Sequence, residues 1–250
     1  MENNKIFYPL THPQKGIWYT EKFYPGTGIA NVIGTFRLRQ SINFDVLTQT
    51  LNFVIANNDG MRLRICETPT GPVQYVADHF DRQFMLRDFS NEKDKEAGFN
   101  RWIDEQRRIP LDINDADLFE FIFLKFSKDE GGLYLKAHHT ISDAWTMVLL
   151  GNQVNDYYFQ LLEGIKPEVS YYSSYLDYIA GEQLFCTSAR FAKNRNFWNN
   201  KFRDIPELTT LKPNKQAFGS CEASRKTFMI SRELTTRLNQ FVEELGVSLF

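Results

Sequence analysis

The chain has 250 residues, 42% hydrophobic and 24% charged, an ordinary globular composition with enough apolar material for a substantial core. A formal net charge of −2 gives no electrostatic footprint for nucleic acid or an anionic membrane. No apolar run approaches the roughly 20 residues of a membrane span, the start MENNKIFYPL has no signal-peptide pattern, and Cys66, Cys186 and Cys221 are odd in number and too far apart for metal-ligand spacing, so a reduced cytoplasmic protein is expected.

In chain order, ANVIGTFRLR (30–39) reads as a strand. NFDVLTQTLNFVIANN (43–58) puts Phe44, Leu47, Leu51, Val54 and Ile55 at helical spacing, with Asn43 as N-cap. MRLRI and VQYVA are short strands around the turn TPTGP. NEKDKEAGFNRWIDEQRRIP suits a charged surface helix ending before Pro110. DLFEFIFLKF (117–126) is almost continuously apolar, as a strand buried on both faces would be, and SKDEGG turns it into LYLKAHH (133–139) as a hairpin. From Ala144 to Glu163 a helical stripe is expected from Trp145, Val148 and Leu149 through Val154, Tyr157, Tyr158, Leu161 and Leu162, stopping at Gly164. Helices follow over 171–183 and 187–203. A polar stretch, 204–221, reads as a linker; then ASRKTFMI reads as a strand, and SRELTTRLNQFVEELG as a helix capped by Ser231. The 22 phenylalanines are read first as core and only second as the lining of a tunnel. Strands mixed with long helices give an α/β sandwich.

The stretch LKAHHTISDAWTMVLL (135–150) places His138, His139 and Asp143 at a strand-to-helix junction. Strand alternation puts Leu133, Leu135, Ala137 and His139 on one face and Tyr134, Lys136 and His138 on the other, so the two imidazoles diverge. A single histidine beside an apolar strand is most often a satisfied structural residue. Adjacent, diverging histidines with no carboxylate–histidine helix motif make a poor metal site, and the absence of a G-x-S-x-G elbow argues against a serine triad. The remaining chemistry is a histidine base at a strand end facing a helix N-terminus whose free N–H groups could receive an oxyanion, which suits acyl transfer. Asp143 can cap that helix or accept an ion pair from elsewhere.

HHTISDAW resembles the His-His-x-x-x-Asp-Gly motif of nonribosomal peptide synthetase condensation domains. Three further segments match in order: YPLTHPQKGIWYTEKFYPG, with Pro13, Gln14 and Trp18 in place; NNDGMRLRI (57–65), where Arg62 falls on the last arginine of Arg-His-Glu-x-Leu-Arg; and YLDYIAGEQ (175–183) followed by FWNNKF (197–202). The resemblance implies a chloramphenicol acetyltransferase-like α/β sandwich, a mixed sheet with flanking helices, forming one lobe of a two-lobed, V-shaped domain. Residues 1–203 would be the N-terminal lobe, 204–221 a linker and 222–250 the incomplete start of the C-terminal lobe. His139 takes the catalytic place, His138 is its structural neighbour, Asp143 pairs with Arg62, Trp145 anchors the helix by packing, and Tyr175, Asp177 and Tyr178 are structural. Ala144 stands where the family has glycine, which would matter if φ > 0 were required there.

The implied activity is condensation of a donor acyl or peptidyl thioester with the amine of a carrier-bound aminoacyl acceptor. No tightly bound cofactor and no metal are expected. Substrates would arrive on phosphopantetheine arms of carrier proteins or, for a starter domain, as acyl-CoA. The opening motif lies within ten residues of Met1, so the donor is expected from outside this polypeptide. Expected partners are acyl or peptidyl carrier proteins, downstream adenylation and carrier domains, and the C-terminal lobe, with neither nucleic acid nor membrane. The 250 residues alone are expected to be inactive. An O- or N-acyltransferase, an epimerisation domain and a degenerate, non-enzymatic condensation-like interaction module stay open as alternatives.

Overall fold

The computed structural model describes residues 5–169, 173–206 and 226–249. The chain begins with a short strand, β1 (Tyr8–Pro9), and then α1 (His12–Phe23). Thr11 and Gln14 cap this helix reciprocally: Gln14 Oε1 accepts from the Thr11 backbone N–H at 2.9 Å, and the Thr11 hydroxyl accepts from Gln14 N–H. Strand β2 (Asn31–Leu38) and helix α2 (Phe44–Asn57) follow, the helix capped by Asn43 as expected. A 3-10 turn (Asp59–Arg62) leads into the hairpin β3 (Leu63–Thr68) and β4 (Gly71–Val76), then β5 (Met85–Asp88), α3 (Lys95–Gln106), β6 (Phe119–Ser127) and β7 (Glu130–His138). Four helices complete the described residues: α4 (Ala144–Leu162), α5 (Tyr175–Cys186), α6 (Ala189–Lys201) and α7 (Arg232–Glu244).

Two open sheets result. One has the order β1-β4-β3 and is antiparallel. The other has the order β2-β7-β6-β5, with only the β5–β6 pair parallel. The near-continuous apolar run of β6 is explained by burial on both faces. Phe119, Phe121 and Phe123 join Leu133, Leu135 and Ala137 of β7 under α2 and α4. Ile122, Leu124 and Phe126 join Tyr134 and Phe89 on the other face, where Phe99, Trp102 and Ile103 of α3 pack. Nine phenylalanines belong to or pack against these clusters, while ten of the described ones, Phe185, Phe197 and Phe202 among them, are exposed, so the core accounts for only part of them; α3 covers a sheet face, more than a charged surface helix would.

Helix α4 approaches β2 closely because Gly151 lies there: a Cβ at Gly151 would come within 2.7 Å of the Phe36 ring. Its inward face is Leu150, Gln153, Tyr157 and Tyr158. The expected stripe is corrected at its start, since Trp145 is 67% exposed and Val148 and Leu149 are also exposed. At 3.6 residues per turn, positions 150, 153 and 157 share a face from which 145, 148 and 149 are rotated away. Gly164, with φ +74, ends the helix as expected.

The chain divides into two units, Met1–Thr209 and Thr210–Phe250. The expected linker, 204–221, lies outside the described residues except for 204–206. Of the strand expected over 223–230, residues 226–230 are not strand and the rest lies outside the described residues, while Ser231 caps α7 as expected. Helix α5 begins at Tyr175, and residues 171 and 172 of the helix expected over 171–183 lie outside the described residues.

Candidate functional site

The end of β7 separates the two imidazoles as strand alternation requires. His138 is 1% exposed, and His139 is exposed. Beneath the sheet, His138 Nε2 lies 2.5 Å from Glu21 Oε2 of α1, and its Nδ1 lies 2.7 Å from the Thr140 hydroxyl and receives the Thr140 backbone N–H at 3.2 Å. A backbone N–H only donates, so Nδ1 carries no proton and the proton sits on Nε2, directed at the carboxylate.

The turn after β7 is closed on itself. Ile141 N–H and the Ser142 hydroxyl both donate to the His138 carbonyl, at 3.0 and 3.1 Å. His139 N–H donates to Ala30 O at 2.8 Å. His139 Nδ1 lies 2.7 Å from the carbonyl oxygen of Ser142. That oxygen can only accept, so Nδ1 carries a proton, and in the neutral ring the lone pair is on Nε2. An exposed imidazole with an unprotonated Nε2 can take a proton from an attacking nucleophile.

Asp143 caps α4: its Oδ1 accepts from Thr146 N–H and from the Thr146 hydroxyl, each at 2.8 Å. These bonds, the backbone one foremost, hold its carboxyl below the usual aspartate range. Two expectations change as a result. The Arg62–Asp143 ion pair is not among the ion pairs of the described residues. Arg62 instead donates from Nη1 to Ala77 O at 2.9 Å, fastening the 3-10 turn to the end of β4. The α4 N-terminus is already occupied by a carboxylate, which competes with an incoming oxyanion for the same N–H groups. Trp145 does not anchor the helix by packing. Ala144 is the first residue of α4, and the only non-glycine residue with positive φ among the described residues is Asp115, so the alanine carries no backbone strain.

Gln14 was matched only as part of the opening segment, and Asp59 and Glu21 were not singled out from the sequence. Gln14 donates from Nε2 to Thr140 O at 3.1 Å and to Gln74 Oε1 at 2.9 Å, tying α1 and β4 to the histidine turn. Asp59, in the second matching segment, accepts from Tyr175 N–H and the Ser174 hydroxyl and so fixes the start of α5. The signal was present in α1: Gln14, Trp18 and Glu21 fall at i, i+4 and i+7, a buried helical stripe with polar residues at both ends. Among the described residues no group of three or more His, Cys, Asp or Glu side chains could hold a metal ion, and no helix is long and apolar enough to cross a membrane.

Comparison with known proteins places this arrangement. The family model described as "Condensation domain" matches residues 4–250. Surfactin synthase subunit 1 of Bacillus subtilis (strain 168) is 35% identical over 246 residues, 97% of this chain and 7% of that protein. A plipastatin synthase subunit of the same organism is 32% identical over 249 residues, 97% of this chain and 9% of that protein. The first condensation domain of the CDA synthetase superposes with a TM-score of 0.80 at 20% identity over 98% of this chain and 59% of that one. The starter condensation domain of rhizomide synthetase RzmA gives 0.75 at 22% identity, over 81% and 49%. The chain thus spans under a tenth of these curated relatives and about half of these solved chains. The two solved structures share its fold of open mixed sheets with flanking helices.

Proposed function

The chain belongs to the condensation domain family, and from that premise we propose that it supplies the histidine-bearing lobe of an amide-forming acyltransferase. The observation that carries this reading is the exposed His139 ring, whose Nδ1 is committed to Ser142 O and whose Nε2 is free. The amine of an aminoacyl thioester attacks the carbonyl carbon of a donor thioester. The C–N bond forms, the C–S bond breaks, Nε2 of His139 takes the amine proton, and the same proton passes on to the departing thiolate, returning the ring to its neutral form. His138, Asp143 and Arg62 support the turn and its flanking elements without touching substrate. Residues 1–203 form the first lobe and 222–250 open the second, joined by 204–221.

The donor we assign is an acyl-CoA, and the acceptor an aminoacyl group on the phosphopantetheine arm of a carrier protein. A variant of the RzmA starter domain has been crystallised with C8-CoA and Leu-SNAC, a donor and acceptor pair of this chemistry. The expected partners are therefore carrier and adenylation domains. The test offers acyl-CoA and, separately, carrier-bound acyl or peptidyl donors to the synthetase module containing this chain, with its own loaded acceptor carrier, and follows product by mass spectrometry. An acyl-aminoacyl product from acyl-CoA supports the reading. Product from carrier-bound donors alone removes the starter assignment, and product from neither source removes the condensation reading. The 250 residues by themselves are expected to give no product.

A further inference from the structure

We propose that Glu21 is a positioning residue for the reaction: by holding the buried His138 ring it fixes the turn that sets the tautomer and orientation of His139. The proposal rests on the reading of His139 as the proton acceptor and extends it to a residue on another element. Five hydrogen bonds make the chain of effect. Glu21, 8% exposed on α1, accepts the Nε2 proton of His138 at 2.5 Å. The opposite nitrogen of that ring receives Thr140 N–H at 3.2 Å, which locates the residue after His139. The His138 carbonyl receives Ile141 N–H and the Ser142 hydroxyl. The Ser142 carbonyl so placed receives the His139 Nδ1 proton at 2.7 Å, leaving Nε2 as the outward lone pair.

Glu21 is the only side chain of the described residues hydrogen-bonded to His138 Nε2, and it comes from α1, 117 positions away in sequence. Without its carboxylate the buried Nε2–H has no acceptor. The neutral ring can then move its proton to Nδ1, and that switch expels the Thr140 N–H from its acceptor. A disturbed Thr140 loosens the turn, and His139 loses its fixed acceptor at Ser142 O. The second tether, Gln14 Nε2 to Thr140 O at 3.1 Å, holds the turn from the same helix but does not touch either ring. It keeps the loop near its place when Glu21 is removed, so the expected defect is in the rings and not in the fold.

The experiment compares Glu21→Ala with Glu21→Gln, whose amide oxygen can still accept from Nε2. Nitrogen-15 shifts of the histidine rings in the 250-residue chain report the tautomers, and amide formation in the complete module reports the rate. For Glu21→Ala we expect His139 to change from a single Nδ1–H form to a mixture, kcat to fall about tenfold or more, and KM for donor and acceptor to stay within twofold. Glu21→Gln should restore the single tautomer and at least half the rate. An unchanged His139 spectrum in Glu21→Ala overturns the proposal, as does a fully retained kcat. If His139→Ala itself leaves the rate unaltered, the assignment of His139 as base fails, while the ring spectra still decide whether Glu21 positions it. Should Glu21→Ala fail to fold, Glu21→Gln against Glu21→Leu, both of similar volume, gives the same comparison.

Discussion

The Nδ1 of His139 and the carbonyl oxygen of Ser142 lie 2.7 Å apart across a three-residue turn. This one contact makes Nε2 the available base, because a carbonyl cannot donate. Replacing His139 with alanine is expected to lower kcat for amide formation in the complete module by about 10²–10⁴-fold, the range for loss of general base help. Melting temperature should stay close to wild type, since the ring is exposed. Full activity in His139→Ala would remove the base assignment.

Asp143 and Arg62 act separately. Asp143→Ala removes the cap of α4 and is expected to cost about 1 kcal/mol. The Asp143 carboxyl is held below the ordinary range by the Thr146 bonds. Its contribution is therefore present above the ordinary aspartate pKa, about 3.9, and is lost as pH falls through the lower folded value. A double-mutant cycle between Arg62→Ala and Asp143→Ala, read by urea unfolding, should give a coupling within about 0.5 kcal/mol. A coupling of several kcal/mol would restore the ion pair expected from the sequence.

Glycines with and without room should respond oppositely. Gly132 lies where an added Cβ would stand 2.1 Å from the Phe36 backbone oxygen, so the backbones of β7 and β2 must part. Gly151→Ala meets the Phe36 ring and should cost about 1–3 kcal/mol through overpacking; Gly132→Ala should cost more. Gly16, an exposed position in α1, has nothing within 4 Å, and Gly16→Ala should stabilise by about 0.5–1 kcal/mol. Thermal or urea unfolding of the three variants checks the order.

Much of this architecture was legible in the sequence. Helix α2, its Asn43 cap, the β3–β4 and β6–β7 hairpins and the α4 stop at Gly164 followed from periodicity and turn chemistry, which act locally. The opposite facing of His138 and His139 followed from strand alternation. What escaped was tertiary. Packing is the ordinary expectation for a tryptophan such as Trp145, whereas the inward face of α4 is set by Leu150 and Tyr157. The family pattern pairs Arg62 with a carboxylate, while the carbonyl of Ala77, which it does reach, carries no sequence signal. Glu21 meets His138 across 117 residues, and only its place in a helical stripe with Gln14 and Trp18 could have marked it.

Two residues before His138, on the same face of β7, the Lys136 ammonium lies 3.0 Å from Glu120 Oε2, with the lysine side chain 2% exposed and the glutamate 31%. The pair is unequal. Glu120→Ala strands a buried cation whose nearest other acceptor is Ile109 O at 3.5 Å, and breaking a buried pair in this way costs about 3–5 kcal/mol. Lys136→Met removes the buried cation and fills a similar volume; it leaves Glu120 Oε2 buried, but that side chain is 31% exposed and can turn the oxygen to water, so the cost should be the smaller one, about 1–2 kcal/mol. The double variant Glu120→Gln with Lys136→Met should resemble Lys136→Met alone. Urea unfolding of the three variants measures the asymmetry. Equal losses from Glu120→Ala and Lys136→Met would show that the lysine is solvated in solution and that the pair does not bury a charge.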